Sequence, residues 1–253
     1  MPRKSQKTPK ATSSQLPWEG HRARLREKFN KSGLSAFLDY EIIELLLTLG
    51  STRGNCKPQA KEAIKKFKTL RGVLAASSEE LQEIKGIGPA NAFAIKLIQG
   101  LSQKFLKEQI LNKPYCKSSK EVFDYLYLSM RDLKKETFKV MFLNAQNQVI
   151  EVEGLFEGTL TASAVYPREI VEKAIKHNAA SLIFAHNHPS GNPEPSDNDK
   201  QITRDLVFAG NIMQLKVLDH IIIGDNRYFS FADAGLIEKY DRAFLNLEKR
   251  KNV

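Results

Sequence analysis

Apolar positions along this chain follow two different periods, and the change falls near residue 111. From His21 to Gln109 they recur every three or four residues, as on one face of a helix. Leu25, Phe29, Leu34, Phe37 and Leu38 open the series, and Trp18 marks the start of the folded part. Tyr40–Leu49 is apolar nearly all round (Ile42, Ile43, Leu45, Leu46, Leu47), which predicts a buried helix. Lys57–Phe67 is amphipathic, with Ala60, Ala63, Ile64 and Phe67 inward and lysines outward. Ser77–Ile84 starts with Ser-Ser-Glu-Glu, a helix-capping signal with an acidic first turn. Nothing before residue 111 reads as a strand, so 17–110 is expected to be a small all-α domain. Ahead of it, 1–16 is Lys, Ser, Thr and Pro with almost nothing apolar, the pattern of a disordered basic tail.

The polar, proline-containing stretch 111–118 is the expected link to a second domain, 119–240. Ser119 caps a helix carrying Val122, Phe123, Tyr125, Leu126 and Leu128. After it the period shortens. Glu136–Leu143 and Gln148–Val152 flank Asn-Ala-Gln-Asn, a hairpin pattern. Gly158–Val165 is a third strand candidate, and Pro167–Asn178 is a helix with proline in its first turn. Ala180–Ala185 is a short buried strand, followed by a Pro/Gly/Asn loop and a helix from Ser196 to about Gly210. Leu215–Ile223 and Tyr228–Phe231 complete the strands, leaving 241–253 as a C-terminal tail. Hairpins mixed with strand–helix units predict an α/β or α+β sandwich.

Charge sharpens the division. The 253 residues carry a net charge of +10. Residues 1–110 hold 20 of the 39 Lys and Arg but 10 of the 29 Asp and Glu, and the remainder holds 19 of each. The excess positive charge therefore belongs to the helical part, which suits non-specific contact with a polyanion such as DNA. No apolar run is long enough to span a membrane, and the N-terminus lacks the apolar core of a signal peptide, so a cytoplasmic protein is expected. Cys56 and Cys116 form no metal-binding pair, so any metal must be held by His, Asp or Glu.

Candidate chemistry concentrates in 186–199. His186 and His188 follow an apolar strand at i and i+2, which points both imidazoles to one side. A loop rich in Pro and Gly leads to Ser196, and Asp199 follows three residues later at the helix start. Two histidines and a carboxylate match a catalytic Zn²⁺ site, which leaves its fourth position open for water. The expectation is one Zn²⁺ per chain, with Ser196 placed to donate a hydrogen bond to a developing oxyanion.

His-x-His, seven residues, Ser, two residues, Asp resembles the JAMM (MPN-type) metalloprotease signature. The full string from His186 to Asp199 is similar to the RadC family of bacterial JAMM-like proteins. Gly158–Ile170, Leu218–Gly224, Asp39–Leu49 and Lys85-Gly-Ile-Gly agree with it. The resemblance implies a cytidine-deaminase-like (JAMM/MPN) α/β/α sandwich, with Zn²⁺ on His186, His188 and Asp199. It also implies a glutamate acting as base on water, and Glu136 is the choice. Glu136 opens a strand and shares the apolar face of Phe138, Val140 and Phe142 by alternation. Glu151 and Glu153 compete, but their alternation with Val152 fits a solvent-facing edge. His220, in Asp219-His220, reads as a strand-end histidine near the surface or as a hydrogen-bond partner of a ligand.

Ile84–Gly88 followed by Ala90, Ala92 and Ile95 resembles half of a helix-hairpin-helix motif. Gly86 and Gly88 would permit the turn, helix-start amides would face a phosphate, and Lys85 would add charge. The expected function is zinc-dependent hydrolysis of a peptide or isopeptide bond in an unidentified protein substrate, with the helical domain docking DNA or a partner. The alternatives are a non-catalytic, repair-related DNA-associated protein with a structural or vestigial metal site, and a nuclease using the same ion.

Overall fold

The computed structural model describes residues 20–51, 54–115, 119–158 and 165–251. The chain divides into two compact units, Met1–Gln99 and Gly100–Val253. The division falls inside a helix rather than at the expected 111–118 link. The tail expected at 1–16 and most of the strand expected at Gly158–Val165 lie outside the described residues.

The regular elements among the described residues of the first unit are all helical: α1 (His21–Ser32), a 3-10 turn (Gly33–Ala36), α2 (Asp39–Gly50), α3 (Lys57–Phe67), α4 (Leu70–Ala75), α5 (Ser78–Gln82) and the first part of α6 (Pro89–Ile110). Its core gathers Ile43, Leu47, Ala60, Ala63, Val73, Leu81, Ile84 and Ile95. The Ser77 signal forms a capping box with Glu80 and starts α5. The helix α2 is less enclosed than its composition suggests. Ile43 and Leu47 are buried, whereas Leu49 is 63% exposed.

The second unit contains α7 (Ser119–Met130), β1 (Thr137–Leu143), β2 (Val149–Glu157), α8 (Pro167–Lys176), β3 (Ser181–Asn187), α9 (Asp197–Ile212), β4 (Lys216–Ile223), β5 (Tyr228–Ser230) and α10 (Leu236–Lys251). The five-stranded sheet has the order β2-β1-β3-β4-β5. Only β3 and β4 are parallel, with α9 as their crossover. Phe138, Val140, Phe142, Leu182 and Phe184 face a core closed by Ile170 of α8, Ile202 and Leu206 of α9, and Ile237 and Tyr240 of α10. Met141, Leu143, Ile183, Ala185, Ile221 and Ile223 face the other way, onto Val122, Leu126 and Met130 of α7. Helices thus cover both faces of a mixed sheet. Every residue of β3 is buried, the reason it reads as an unbroken apolar run.

Two elements depart from expectation. The stretch 241–253, expected as a tail, is helical through Lys251, because Ile237, Tyr240 and Phe244 recur at helical spacing and Phe244 packs on Phe208. β2 continues five residues past Val152, since it is an edge strand and needs only one apolar face. Among the described residues, no helix is long and apolar enough to cross a membrane.

Candidate metal centre

β3 ends by delivering two imidazoles to the same face. His186 is fully buried, and the His188 amide extends the pairing to the Ile223 carbonyl at 2.9 Å. The loop then turns back beneath His188. Gly191, at φ 79°, donates its N–H to the His188 carbonyl, and the His188 Nδ1–H donates to the Asn192 carbonyl at 2.7 Å. A backbone carbonyl can only accept, so His188 carries its proton on Nδ1 and keeps the Nε2 lone pair free.

Asp199 arrives from the start of α9. Ser196 is the N-cap: its Oγ accepts from the Asp199 amide at 3.1 Å, and Asp199 Oδ2 accepts from the Ser196 amide at 2.8 Å. This reciprocal cap turns the carboxylate inward, where Asp199 is 3% exposed. His186 Nε2 lies 3.3 Å from Asp199 Oδ1, His188 Nε2 lies 3.4 Å from Oδ2, and the two Nε2 atoms are 3.0 Å apart. Ligand atoms on a tetrahedral zinc at 2.0–2.1 Å stand about 3.3–3.4 Å from one another. The donor set therefore matches such an ion in spacing and chemistry. These three residues are the group of described His, Cys, Asp and Glu side chains able to hold a metal.

The electrostatics agree. Burial alone would raise the Asp199 carboxyl, but the two imidazoles and the Ser196 hydroxyl hold it well below the usual carboxylate range. Burial keeps His186 below its ordinary value. His188 feels burial too, but the Asp199 carboxylate and the Asn192 carbonyl favour its doubly protonated form and raise its pKa.

Ser196 sits at the centre, yet its one hydroxyl proton goes to Asp199 Oδ2 at 2.6 Å rather than into open space. Glu136 lies just before β1. Phe138 pairs with His186, so carrying the antiparallel register on by two residues sets Glu136 opposite His188. Its carboxylate acts electrostatically on both imidazoles. Lys134, Lys135, Glu136, Gly158, Pro189 and Ser190 line a cleft of about 580 Å³. Glu151 and Glu153 are on the edge strand as expected, but they are half-buried in ion pairs, Glu151 with Lys107 and Glu153 with Lys173 and His177. Lys85, Gly86 and Gly88 lie elsewhere, between α5 and α6. Gly86 has the left-handed φ of 93° that its turn requires, and Lys85 is exposed. The Gly88 amide is already satisfied by Asn91 Oδ1 at 3.3 Å.

The chain matches the RadC-like JAB domain over residues 116–236 and the UPF0758 N-terminal domain over residues 19–93. A UPF0758 protein of Pseudoalteromonas translucida (strain TAC 125) is 42% identical over 214 residues, 85% of this chain and 96% of its own. The chain belongs to the RadC (UPF0758) family. A second family member, from Fusobacterium nucleatum subsp. nucleatum, is 41% identical over 226 residues, 87% of this chain and 97% of its own. A third, from Vibrio parahaemolyticus, is 40% identical over 212 residues, 84% of this chain and 95% of its own. The JAB match encloses all of Glu136, His186, His188, Ser196 and Asp199.

Two further buried residues stand at the centre, Asn187 with no local sequence signal and His220 as the hydrogen-bond partner that is one of its two readings. Asn187, between the histidines, points to the opposite side. It accepts from the Thr137 amide at 2.8 Å and donates to the Leu133 and Lys135 carbonyls, so it pins the segment bearing Glu136. His220 is fully buried rather than near the surface, and its Nε2 lies 2.8 Å from His186 Nδ1.

Proposed function

We propose that the second unit is a zinc-dependent hydrolase of the JAMM type, acting on a peptide or isopeptide bond. The observation that carries this reading is the convergence of two imidazole nitrogens and a carboxylate at 3.0–3.4 Å on side chains that are largely buried. When bound there, zinc lowers the pKa of a coordinated water to about 7 and polarises a carbonyl. His186, His188 and Asp199 would hold the ion. Glu136, at the rim of the 580 Å³ cleft, would take the proton of the attacking water and pass it to the leaving nitrogen. Ser196 would first orient Asp199. Its hydroxyl becomes free to meet an oxyanion only by turning away from that carboxylate.

The first unit is proposed as the docking module. Lys61, Lys65, Lys68 and Lys85 are exposed there, and residues 83–88 join α5 to α6. A polyanion held by such lysines is released steeply by salt. The test of the hydrolase reading is zinc content together with turnover on a panel of peptide- and isopeptide-linked conjugates. About one zinc per chain with cleavage supports it. A zinc-loaded chain inert on every conjugate favours the non-catalytic alternative.

A further inference from the structure

Behind the candidate ligands lies a hydrogen-bonded path that none of the roles above uses. Thr203, one turn along α9, donates its hydroxyl proton to the Asp199 carbonyl at 2.6 Å. The same Oγ1 lies 2.6 Å from His220 Nδ1, and His220 Nε2 lies 2.8 Å from His186 Nδ1. Thr203, His220 and His186 are each 0% exposed. Phe138, Phe184 and Phe231 rings surround His220, with Phe231 stacked at 5.0 Å.

The direction of every proton on this path follows from its first member. A hydroxyl has one proton, and Thr203 has given it to a carbonyl. Toward His220 the Thr203 oxygen can only accept, so His220 carries its proton on Nδ1. An imidazole enclosed by phenyl rings is neutral, which leaves His220 Nε2 bare. It must then accept from His186 Nδ1–H. His186 is left with a bare Nε2, aimed at His188 and Asp199. His188 reaches the same state separately, through the Asn192 carbonyl.

We infer that Thr203 and His220 are positioning residues that lock His186 in the tautomer able to ligate a cation through Nε2. This rests on the reading of the centre as a metal site. The lock begins on the backbone of Asp199 and ends on the ring of His186, so it joins two candidate ligands from different elements. Removing the Thr203 hydroxyl leaves His220 Nδ1–H without its acceptor. The ring then gains by moving its proton to Nε2 and donating to His186, which pushes the His186 proton onto Nε2 and blocks ligation.

The test measures zinc affinity by chelator competition, and the tautomers of the metal-free protein by nitrogen-15 spectra of the histidine rings. Thr203→Val keeps the side-chain shape and should weaken zinc binding about 10–100-fold. Thr203→Ser restores the hydroxyl and should bind within a few-fold of wild type. His220→Phe keeps the ring volume and should lose affinity like Thr203→Val, which covers the case in which the valine variant fails to fold. In the wild-type apo protein, His186 and His220 should both be protonated on Nδ1. Wild-type affinity in folded Thr203→Val and His220→Phe would overturn the lock and leave the metal reading standing. So would an apo spectrum with His186 protonated on Nε2. If wild type binds no zinc, the metal reading falls, and the apo spectra still decide the lock.

Discussion

Two carboxylates of the second unit each face two nitrogen bases, and their surroundings differ. Glu153, on the edge strand β2, meets the Lys173 ammonium and the His177 imidazole, the latter at 2.7 Å. Asp199, inside the unit, meets two imidazoles at 3.3 and 3.4 Å. The Glu153 side chain is 25% exposed, and a permanent cation balances it. Asp199 is 3% exposed, and among the described residues no lysine or arginine reaches it. A buried carboxylate without a permanent cation beside it costs several kcal/mol unless its neighbours compensate, and the interior cluster is the one whose three side chains could hold an added cation. The edge cluster is an ordinary ion-pair network. Geometry alone would group the two, and burial with charge balance separates them.

The sharpest way to break this contrast is to remove one histidine from each cluster. His188→Ala should lose zinc, because two remaining ligands compete poorly with water. His177→Ala should keep its full complement by metal analysis. Equal zinc in both variants would abolish the distinction. Next in size, Glu136→Gln should retain zinc and lose about 10²–10⁴ in turnover, as removal of a general base does. Glu153→Gln should turn over normally, and the reverse pattern would move the base to β2.

A smaller effect is expected at the cap. Ser196→Ala removes the α9 N-cap and a donor to Asp199, and should cost about 1 kcal/mol. In thermal melts that is a fall of about 2–4 °C for a chain of this size. The smallest effect is electrostatic. Lys173 and His177 hold the Glu153 carboxyl below its usual value. Its contribution is therefore present above about pH 4.3 and fades as pH falls through the depressed folded value. Being half-exposed, it amounts to no more than about 1 kcal/mol. Wild type and Glu153→Gln should differ slightly at neutral pH and converge in acid, as denaturant titrations would show.

Much of this centre was legible because its signals are local. His186 and His188 share a strand face by alternation, and Ser196 and Asp199 sit three apart in a capping box. The base comes only with the family resemblance, and position at the start of a strand selects Glu136; β1 pairs with β3 from Phe138 opposite His186 onward, two residues beyond it. Asn187 hid in plain view between the histidines, because its partners lie 50 or more positions away. His220 read equally well as a surface residue, since nothing nearby reveals that it touches His186 across 34 positions. The apolar stripe of α10 is short and set among charged residues, so the end of the chain reads as a tail.

The sequence by itself determined the helical first part, the strand-and-helix second part and the three side chains of the cluster that could hold a metal. Each depends on periodicity or on contacts within a few residues, where spacing dictates geometry. Only the tertiary structure decided which edge strand stays half-exposed, how far β2 runs, and which histidine stands behind which. It also decided which groups meet behind the centre, because a hydrogen-bond path through Asp199, Thr203, His220 and His186 exists only when β3, β4 and α9 are packed together.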